Sequence, residues 1–259
     1  MTGQVTVDLN SDLGEGYGRW SFGTDEQVLE LVSSANVACG AHAGDPSTIR
    51  ATVGAAVASG TVVGAHVGYP DLQGFGRRDL GMAPTELVDS VVHQIAGLVG
   101  FTRLAGTAVR YVKPHGALYN RAAVDDEHAS AVVHAVREYD DGLAVMGLPG
   151  SRLTRLADEA GLRTVSEAFA DRAYLEDGTL APRSLPGAVL TDAEAVVAQV
   201  VRLVQEGRVE AIGGATVDVR ADSICLHGDT PGAVALAGRV RTGLAAAGIV
   251  VRSPLASGS

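Results

Sequence analysis

The chain contains 259 residues, of which 46% are hydrophobic and 19% are charged, and its formal net charge is −10. These values are typical of a folded globular protein with one large domain or two small ones, and they exclude a disordered chain. The negative charge argues against nucleic acid or an anionic membrane surface as a partner.

The first residues, MTGQVTVDLN, have no basic start and no apolar signal core, and no apolar run approaches the length that spans a bilayer. We therefore expect a cytoplasmic protein with no membrane partner. Cys39 and Cys225 are far apart in apolar, strand-like contexts. We interpret both as buried small side chains in a reducing compartment rather than as a disulfide.

Short apolar runs alternate with amphipathic segments along the chain. The runs predict strands at residues 5–9, 36–39, 61–65, 109–112, 143–146, 163–167 and 223–226, with 249–251 as an eighth strand or a tail. The amphipathic segments predict helices at residues 25–34, 46–59, 84–104, 125–139, 151–160, 192–206 and 231–247. Such alternation favours a parallel sheet covered by helices. Because no linker interrupts it, we predict a single β/α domain over residues 1–252 and a flexible tail over 253–259.

Polar side chains follow most of the predicted strands at the point where each strand ends. The carboxyl ends of all strands meet at one rim in a closed β/α barrel, and such barrels keep their active sites there. An open doubly wound sheet would spread the same side chains along a ridge, and the first predicted strand lacks the G-x-G-x-x-G that often follows it in such sheets. Many buried charges are costly unless they are paired, so we favour a barrel with a polar mouth.

Lys113 is the only lysine of the chain, and it lies at the end of the fourth predicted strand. Pro114 stops the strand, and His115 follows beside Gly116, which permits close approach of a ligand to the backbone. A lysine either loses its proton when it is desolvated or acts as a compact cation. We predict catalytic roles for Lys113 and His115; the alternative is a surface salt bridge and a turn cap.

The first predicted strand ends in three carboxylates, Asp8, Asp12 and Glu15. Asp12 is the stronger candidate for general acid or base chemistry, and Glu15 for binding a substrate. Capping of the polar turn is the structural alternative.

Two histidines and an aspartate follow the second and third predicted strands. His42, Asp45 and His66 are candidate ligands of a divalent metal ion. Alternatively, His42 and Asp45 are catalytic acids or bases and His66 binds substrate. No H-x-x-x-H occurs to place two histidines on one helical face, so both interpretations stay open.

Further polar residues are candidates for binding a substrate. Arg77 and Arg78 adjoin each other in the glycine-rich segment GFGRR, and guanidinium groups bind carboxylates and phosphates with two hydrogen bonds. The alternative is a loop held by salt bridges. The substrate-binding set comprises Asn10, Glu15, His66, Arg77, Arg78, Asn120, Asp171, Arg172 and His227. Because the chain has no Walker motif, ATP would not be held by a P-loop.

Seven segments together resemble the LamB/YcsF family. They are DLNSDLGEG, SSANVACGAHAGDP, GAHVGYPD, GFGRR, YVKPHGALYN, FADRAY and CLHGD, and they keep their order from about Val7 to Ile249. Three positions depart from the usual pattern: Ala41 replaces a common phenylalanine, Val67 a common proline, and Ser11 a frequent cysteine or alanine. None of the three removes an ionisable group, so they bear on the shape of the pocket more than on its chemistry.

The resemblance implies a seven-stranded β/α barrel of the glycoside hydrolase/deacetylase type. It implies the activity of the A component of a 5-oxoprolinase, the ATP-dependent opening of 5-oxo-L-proline to L-glutamate. The implied partners are 5-oxoprolinase subunits B and C, which resemble an allophanate-hydrolase-like enzyme. ATP is then a co-substrate, accompanied by Mg²⁺, and a homo-oligomer remains an open expectation.

We expect the phosphorylated lactam to need a cation, a base and an acid. Lys113, with Arg77 or Arg78, would bind the anionic groups. Asp12 or Asp45 would activate water, and His42 or His115 would carry the proton. Two alternatives stay open: a metal-dependent amide or carbohydrate hydrolase acting alone, including a deacetylase, and a non-catalytic subunit that binds 5-oxoproline.

Overall fold

Seven parallel strands pair side by side and close on one another as a barrel. The structure is a computed structural model that describes residues 4–21, 24–182, 184–226 and 232–256. Its strands are β1 (Thr6–Leu13), β2 (Ser34–Ala38), β3 (Val62–Val67), β4 (Val109–Pro114), β5 (Ala144–Gly147), β6 (Thr164–Phe169), β7 (Arg208–Glu210), β8 (Thr216–Asp218), β9 (Ser223–Cys225) and β10 (Val250–Val251). Strands β1 to β6 are neighbours in chain order, and β9 pairs with both β6 and β1 to close the barrel. The predicted seven-stranded β/α barrel is confirmed.

Helices surround the barrel and pack against the outer face of its strands. They are α1 (Asp25–Leu29), α2 (Pro46–Ser59), α3 (Pro84–Leu104), α4 (Gly116–Val124), α5 (Asp126–Tyr139), α6 (Arg152–Glu159), α7 (Ala193–Glu206) and α8 (Ala233–Ala246). The longest, α3, begins at a proline and buries Leu87, Val91, Ile95 and Leu98, which share one face at helical spacing. Across the described part of the chain, no helix has both the length and the hydropathy needed to cross a bilayer.

Alternation along each strand separates the two sides of the barrel wall. In β1, Val7, Leu9 and Leu13 belong to the outer hydrophobic layer under the helices. The intervening side chains point the other way, because successive residues of a strand face opposite sides. Polar inward positions therefore need hydrogen-bond partners inside the barrel, and they find them on neighbouring strands. The apolar end of the interior is filled by a separate cluster of Tyr111, Ala144, Met146 and Val165.

The structure differs from the sequence-based prediction in its connections. Residues 116–124, which the sequence analysis assigned to no helix or strand, form α4, and its start was not recognised because glycine is a poor helix former. The pair β7–β8 was not predicted; each strand has three residues, too few to show a period. The eighth-strand alternative is correct, since β10 pairs with β1.

The segment predicted as a flexible tail, residues 253–259, contacts the barrel through its described part. The Ser253 hydroxyl lies 2.9 Å from that of Ser34, and the Pro254 carbonyl accepts a hydrogen bond of 2.7 Å from Arg163. Leu255 packs against the apolar cluster inside the barrel. These contacts attach residues 253–256 to the barrel, and residues 257–259 lie outside the described ranges.

Candidate active site

A cavity of about 640 Å³ opens at the carboxyl end of the barrel strands. Its lining brings together eight of the predicted site residues: Asp12, Glu15, His66, Arg77, Lys113, His115, Asn120 and Arg172. Apolar side chains such as Leu148 and Phe169 form another part of its wall. The predicted gathering of distant residues at one rim is thus present in the structure.

One group of residues, here called the lysine cluster, consists of Asp12, Lys113, Glu167 and Cys225. Lys113 Nζ lies 2.8 Å from Asp12 Oδ1 and 2.8 Å from Glu167 Oε1. It also lies 3.4 Å from Cys225 Sγ. The lysine is only 2% exposed, so its ammonium group is directed to the protein rather than to water.

Electrostatics fixes the charge of this cluster. Burial alone would lower the pKa of Lys113, but attraction to Asp12 and Glu167 raises that pKa well above its ordinary value. Burial likewise opposes ionisation of Asp12, yet His66 and Lys113 hold its pKa well below the usual range. Burial raises the pKa of the Cys225 thiol. Of the two roles open to a buried lysine, the structure therefore favours the permanent cation.

Hydrogen bonds support the lysine cluster from within the barrel. The Tyr111 hydroxyl donates to Asn36 Oδ1 at 2.6 Å, which turns the Asn36 amide nitrogen toward Asn10 Oδ1 and Asp12 Oδ1, each at 2.7 Å. Asn10 in turn donates to the Ser223 hydroxyl at 2.8 Å. The predicted binding residue Asn10 therefore lies beneath the cavity, where it helps to hold Asp12.

A second group, here called the imidazole cluster, consists of Glu15, His42, His66 and His115. All four are buried, and one ligand atom from each lies within 4.8 Å of the others. Glu15 Oε1 is 3.1 Å from His42 Nε2, 3.3 Å from His115 Nδ1 and 3.8 Å from His66 Nε2. The rings of His42 and His115 are stacked with centroids 3.8 Å apart.

Backbone carbonyl groups orient two of these rings. His66 Nδ1 lies 3.2 Å from the Lys113 carbonyl oxygen, and His115 Nε2 lies 2.8 Å from the Phe75 carbonyl oxygen. A carbonyl only accepts, so these nitrogens carry the N–H. The other nitrogens, His66 Nε2 and His115 Nδ1, face each other at 2.9 Å. Burial, followed by the neighbouring histidines, lowers the pKa of His115 well below its usual range.

Two glycines let the chain approach these rings closely. A Cβ atom at Gly68 would lie 2.7 Å from His42 Nδ1, and one at Gly76 would lie 2.7 Å from His42 Cβ and 2.8 Å from His115 Cδ2. Gly76 also has a positive φ of 64°, which other residues adopt only with strain. The glycine-rich loop thus packs directly on the imidazole cluster.

Asp12 connects the two clusters. One of its oxygens accepts from Lys113, while the other, Oδ2, lies 3.2 Å from His66 Nε2. Its side chain is 14% exposed, compared with 7% for Glu15 and 0% for Glu167, so Asp12 is the most accessible of these carboxylates.

Asp45 is a correction to the predicted site. Its carboxylate accepts hydrogen bonds from the Ser47 and Thr48 backbone amides and so caps α2. The bond from the Thr48 hydroxyl, followed by that from the Gly18 amide, lowers the pKa of Asp45 to about 2. Asp45 therefore caps α2. The predicted metal-binding set of His42, Asp45 and His66 is wrong, because Asp45 does not belong to the group of potential metal ligands around the two histidines.

Arg78 is a second correction. Its guanidinium forms a salt bridge with Asp71 and lies outside the cavity lining, so it holds the loop, as the structural alternative stated. Arg77 differs: it is exposed, lines the cavity and stacks over the Phe75 ring at 5.0 Å.

The remaining predicted binding residues differ in their position relative to the cavity. Asn120 lies in the cavity lining at an exposed position. Arg172 also lines the cavity, but its guanidinium donates to the carbonyl oxygens of Ala181 and Ala188. Asp171 is buried outside the lining, and His227 lies outside the described residues.

Sequence reasoning missed several members of the site. Glu167 and Asn36 were not among the predicted site residues, and Cys225 was interpreted only as a buried small side chain. Strand alternation was the available signal: Glu167 lies two residues before Phe169, which lines the cavity, so both side chains face inward from β6.

A family model described as the LamB/YcsF family matches residues 7–258. The chain belongs to this family. A relative from Kocuria rhizophila, named as the A component of 5-oxoprolinase, is 56% identical over 249 residues, which cover 96% of this chain and 99% of the relative. The crystal structure of a lactam utilization protein from Thermus thermophilus matches with a TM-score of 0.92 and 48% identity, covering 96% and 99% of the two chains.

More distant solved structures share the barrel. A peptidoglycan deacetylase from Bacillus subtilis, PdaC, aligns with a TM-score of 0.50 at 13% identity, covering 97% of this chain and 89% of its own. This likeness concerns the fold, and it agrees with the deacetylase-type barrel expected from the sequence.

Proposed function

We propose that the protein is the A component of a 5-oxoprolinase, which opens the cyclic amide 5-oxo-L-proline to L-glutamate. The names of the bacterial relative and of the Thermus structure support this proposal, because both match over nearly their whole length. The observation that carries it is the position of Asp12, which lines the cavity while Lys113 fixes one of its oxygens and the other lies 3.2 Å from His66 Nε2.

The cavity suits a small, partly polar ring. Its volume of about 640 Å³ falls within the roughly 300–1,000 Å³ that is usual for small-molecule sites. Leu148 and Phe169 offer apolar contacts to the methylene groups of the lactam ring, and Arg77 is placed to attract its carboxylate. The inner end offers Asp12 and the imidazole cluster to the amide.

ATP supplies the activation that a stable amide needs. The terminal phosphoryl group moves from ATP to the lactam oxygen, so one P–O bond breaks and another forms. Water then adds to the ring carbon and the ring C–N bond breaks, with the nitrogen taking a proton; this leaves an acyl phosphate. A second water releases phosphate and L-glutamate. Mg²⁺ accompanies the nucleotide phosphates.

Within this sequence, Asp12 accepts the proton of the attacking water. Asp12 lines the cavity and its side chain is 14% exposed, so a water molecule beside a bound substrate can approach the carboxylate as a general base requires. Lys113 holds Asp12 and Glu167 in place rather than binding phosphate, because both carboxylates already contact its ammonium group. Subunits B and C, of the allophanate-hydrolase-like type, complete the enzyme, in line with the component name of the relative.

The test is glutamate release from 5-oxoproline by the purified chain, measured alone and with its two presumed partners, with and without ATP. We expect release only from the complete mixture, and a loss of roughly 100-fold or more with Asp12→Asn, in the range for removal of a catalytic base. Asp192→Asn is the matched control, because Asp192 caps α7 on the surface and asparagine caps equally well.

Two outcomes would contradict the proposal. Release by the chain alone without ATP would indicate a stand-alone amide hydrolase. Tight binding of 5-oxoproline combined with normal turnover of the Asp12→Asn complex would indicate a substrate-binding component without a catalytic role.

A further inference from the structure

In the imidazole cluster, one ring nitrogen of His66 faces one ring nitrogen of His115, while the other nitrogen of each ring donates a hydrogen bond to a backbone carbonyl group. His66 donates from Nδ1 to the Lys113 carbonyl, and His115 donates from Nε2 to the Phe75 carbonyl. In neutral rings the remaining nitrogens each present a lone pair, and they lie 2.9 Å apart. Two lone pairs at this distance repel each other, so the contact requires a positive centre that both nitrogens share.

That centre is either a proton or a metal ion. A proton on His66 Nε2 would lie between His115 Nδ1 at 2.9 Å and Asp12 Oδ2 at 3.2 Å, and it would use neither Glu15 nor His42. The structure brings two further donors to the same point, Glu15 Oε1 and His42 Nε2, at 3.1 Å from each other. Convergence of four donor groups, three of them imidazole, favours the metal ion.

The separations of the donor atoms fit a zinc-sized ion. Bonds of about 2.0–2.1 Å place neighbouring atoms of a tetrahedron about 3.3 Å apart. His66 Nε2 and His115 Nδ1 are 2.9 Å apart, and Glu15 Oε1 is 3.1 Å from His42 Nε2, 3.3 Å from His115 Nδ1 and 3.8 Å from His66 Nε2. All four donor atoms lie within 4.8 Å of one another, so binding an ion requires the widest pairs to move closer together.

The hydrogen bonds made by the ring nitrogens that face away from the cluster also fit a metal site. Histidines that bind metals commonly donate their other N–H to a carbonyl or carboxylate, which fixes the tautomer and the ring direction. The Lys113 and Phe75 carbonyl groups do this for His66 and His115. On the loop side, Gly76 packs closely against the rings of His42 and His115.

We propose that Glu15, His42, His66 and His115 bind one divalent transition-metal ion of the zinc class. Glu15, His66 and His115 line the cavity, so the ion is accessible to a bound substrate. Such an ion acts as a Lewis acid toward a carbonyl oxygen. The site goes beyond the proposed 5-oxoprolinase reaction and does not depend on it, and its ligand set differs from the predicted one in replacing Asp45 by Glu15 and His115.

The metal itself is the readout of the first experiment. The full-length chain is purified without added chelator and its zinc, iron, manganese, nickel and cobalt contents are measured by mass spectrometry. Chelator-treated protein is then titrated with Zn²⁺ while thermal unfolding is followed, and with Co²⁺ while visible absorption is followed. We expect close to one equivalent of metal, a rise in Tm with Zn²⁺, and the d–d absorption of a cobalt ion bound by nitrogen ligands.

Variants locate the site. Glu15→Gln and His66→Gln should each weaken Co²⁺ binding by at least about 100-fold, more than the roughly 10–100-fold typical of outer-shell changes. His93→Gln is the matched control, because it removes a histidine from the exposed face of α3. Circular dichroism verifies that each variant is folded. The 5-oxoprolinase assay is not used, so failure here is distinct from failure of the proposed function.

Two results would overturn the site. One is wild-type protein that contains no divalent metal and gains neither Tm nor absorption from Zn²⁺ or Co²⁺; the facing nitrogens then share a proton. The other is binding that persists unchanged in folded Glu15→Gln and His66→Gln. If these variants do not fold, zinc-edge absorption spectroscopy of the wild type decides: a shell of imidazole nitrogens with oxygen supports the site, and any shell lacking imidazole overturns it.

Discussion

The lysine cluster and the imidazole cluster lie side by side, and Asp12 of the first contacts His66 of the second. The two clusters differ in how their buried charges are balanced. The lysine cluster contains its own cation, since Lys113 contacts two carboxylates at 2.8 Å. None of the four members of the imidazole cluster carries a fixed positive charge. The first cluster has a cation supplied by the chain itself, whereas we propose that the second receives a metal ion. Substrate chemistry is then expected where the two meet, at Asp12.

The most damaging change to the lysine cluster is Lys113→Met. It leaves Asp12 and Glu167 buried without their counter-ion, and breaking a buried pair in this way typically costs about 3–5 kcal/mol. We expect that loss in the free energy of unfolding, measured with urea, and at least a roughly 100-fold loss of turnover in the complete enzyme.

A double variant separates charge from packing in the same experiment. Lys113→Met combined with Glu167→Gln has one buried carboxylate fewer, so it should unfold at a higher urea concentration than Lys113→Met alone. If Lys113→Met were as stable as the wild type, the lysine cluster would not be held together by its ion pairs.

The corresponding change to the imidazole cluster is Gly76→Ala. Its new methyl group would lie 2.7 Å from His42 Cβ at a backbone φ of +64°, and overpacking of this kind costs about 1–3 kcal/mol. We expect lower stability in urea together with weaker metal binding. Gly81→Ala is the control: its φ is +56° but nothing lies within 4 Å of the added Cβ, so metal binding should be unchanged. Equal effects of both variants on metal binding would show that the loop does not position the rings.

A smaller effect is expected for Tyr111→Phe, which loosens the support beneath Asp12. The hydroxyl lost is a buried donor to Asn36 at 2.6 Å, and leaving such a partner unsatisfied costs about 1–3 kcal/mol. Denaturant unfolding should show this loss, with turnover falling by less than for Asp12→Asn. Tyr17→Phe, at an exposed site, should match the wild type in both measurements. A Tyr111→Phe enzyme as impaired as Asp12→Asn would place Tyr111 in the reaction itself.

The smallest effect is expected for Asp45→Asn, outside both clusters. Asparagine caps a helix as well as aspartate does, so turnover and metal binding should stay within about twofold of the wild type. The wild-type cap carboxylate has a lowered pKa of about 2. Its contribution to stability is therefore complete above the unfolded-state pKa of about 3.9 and is lost as pH falls toward 2. Acid titration of unfolding should show this dependence in the wild type and its absence in the variant; loss of metal from Asp45→Asn would restore Asp45 to the site.

The barrel was predictable because its strands are short, apolar and regularly separated by helices with caps and periodic apolar faces. α3, from Pro84 to Leu104, was predicted with the correct bounds for these reasons. Elements without such signals were missed: α4 starts at a glycine, and β7 has only three residues.

The site was predictable as a rim of polar residues, since parallel strands bring their carboxyl ends together. Which residue does what was not, because local signals are ambiguous. Asp45 precedes Pro46, and a helix start explains that pair as well as a metal ligand does. Glu167 lies inside a strand-like run, and only the closed barrel shows that it meets Lys113, 54 positions earlier in the chain.

Zinc-edge anomalous diffraction from crystals of the wild-type chain, soaked with Zn²⁺ and 5-oxoproline, tests the contrast between the two clusters most directly. We predict one anomalous peak bounded by Glu15, His42, His66 and His115, none beside Lys113, and the lactam in the cavity next to Asp12. A peak at the carboxylates of the lysine cluster, or no peak among the histidines, would contradict it.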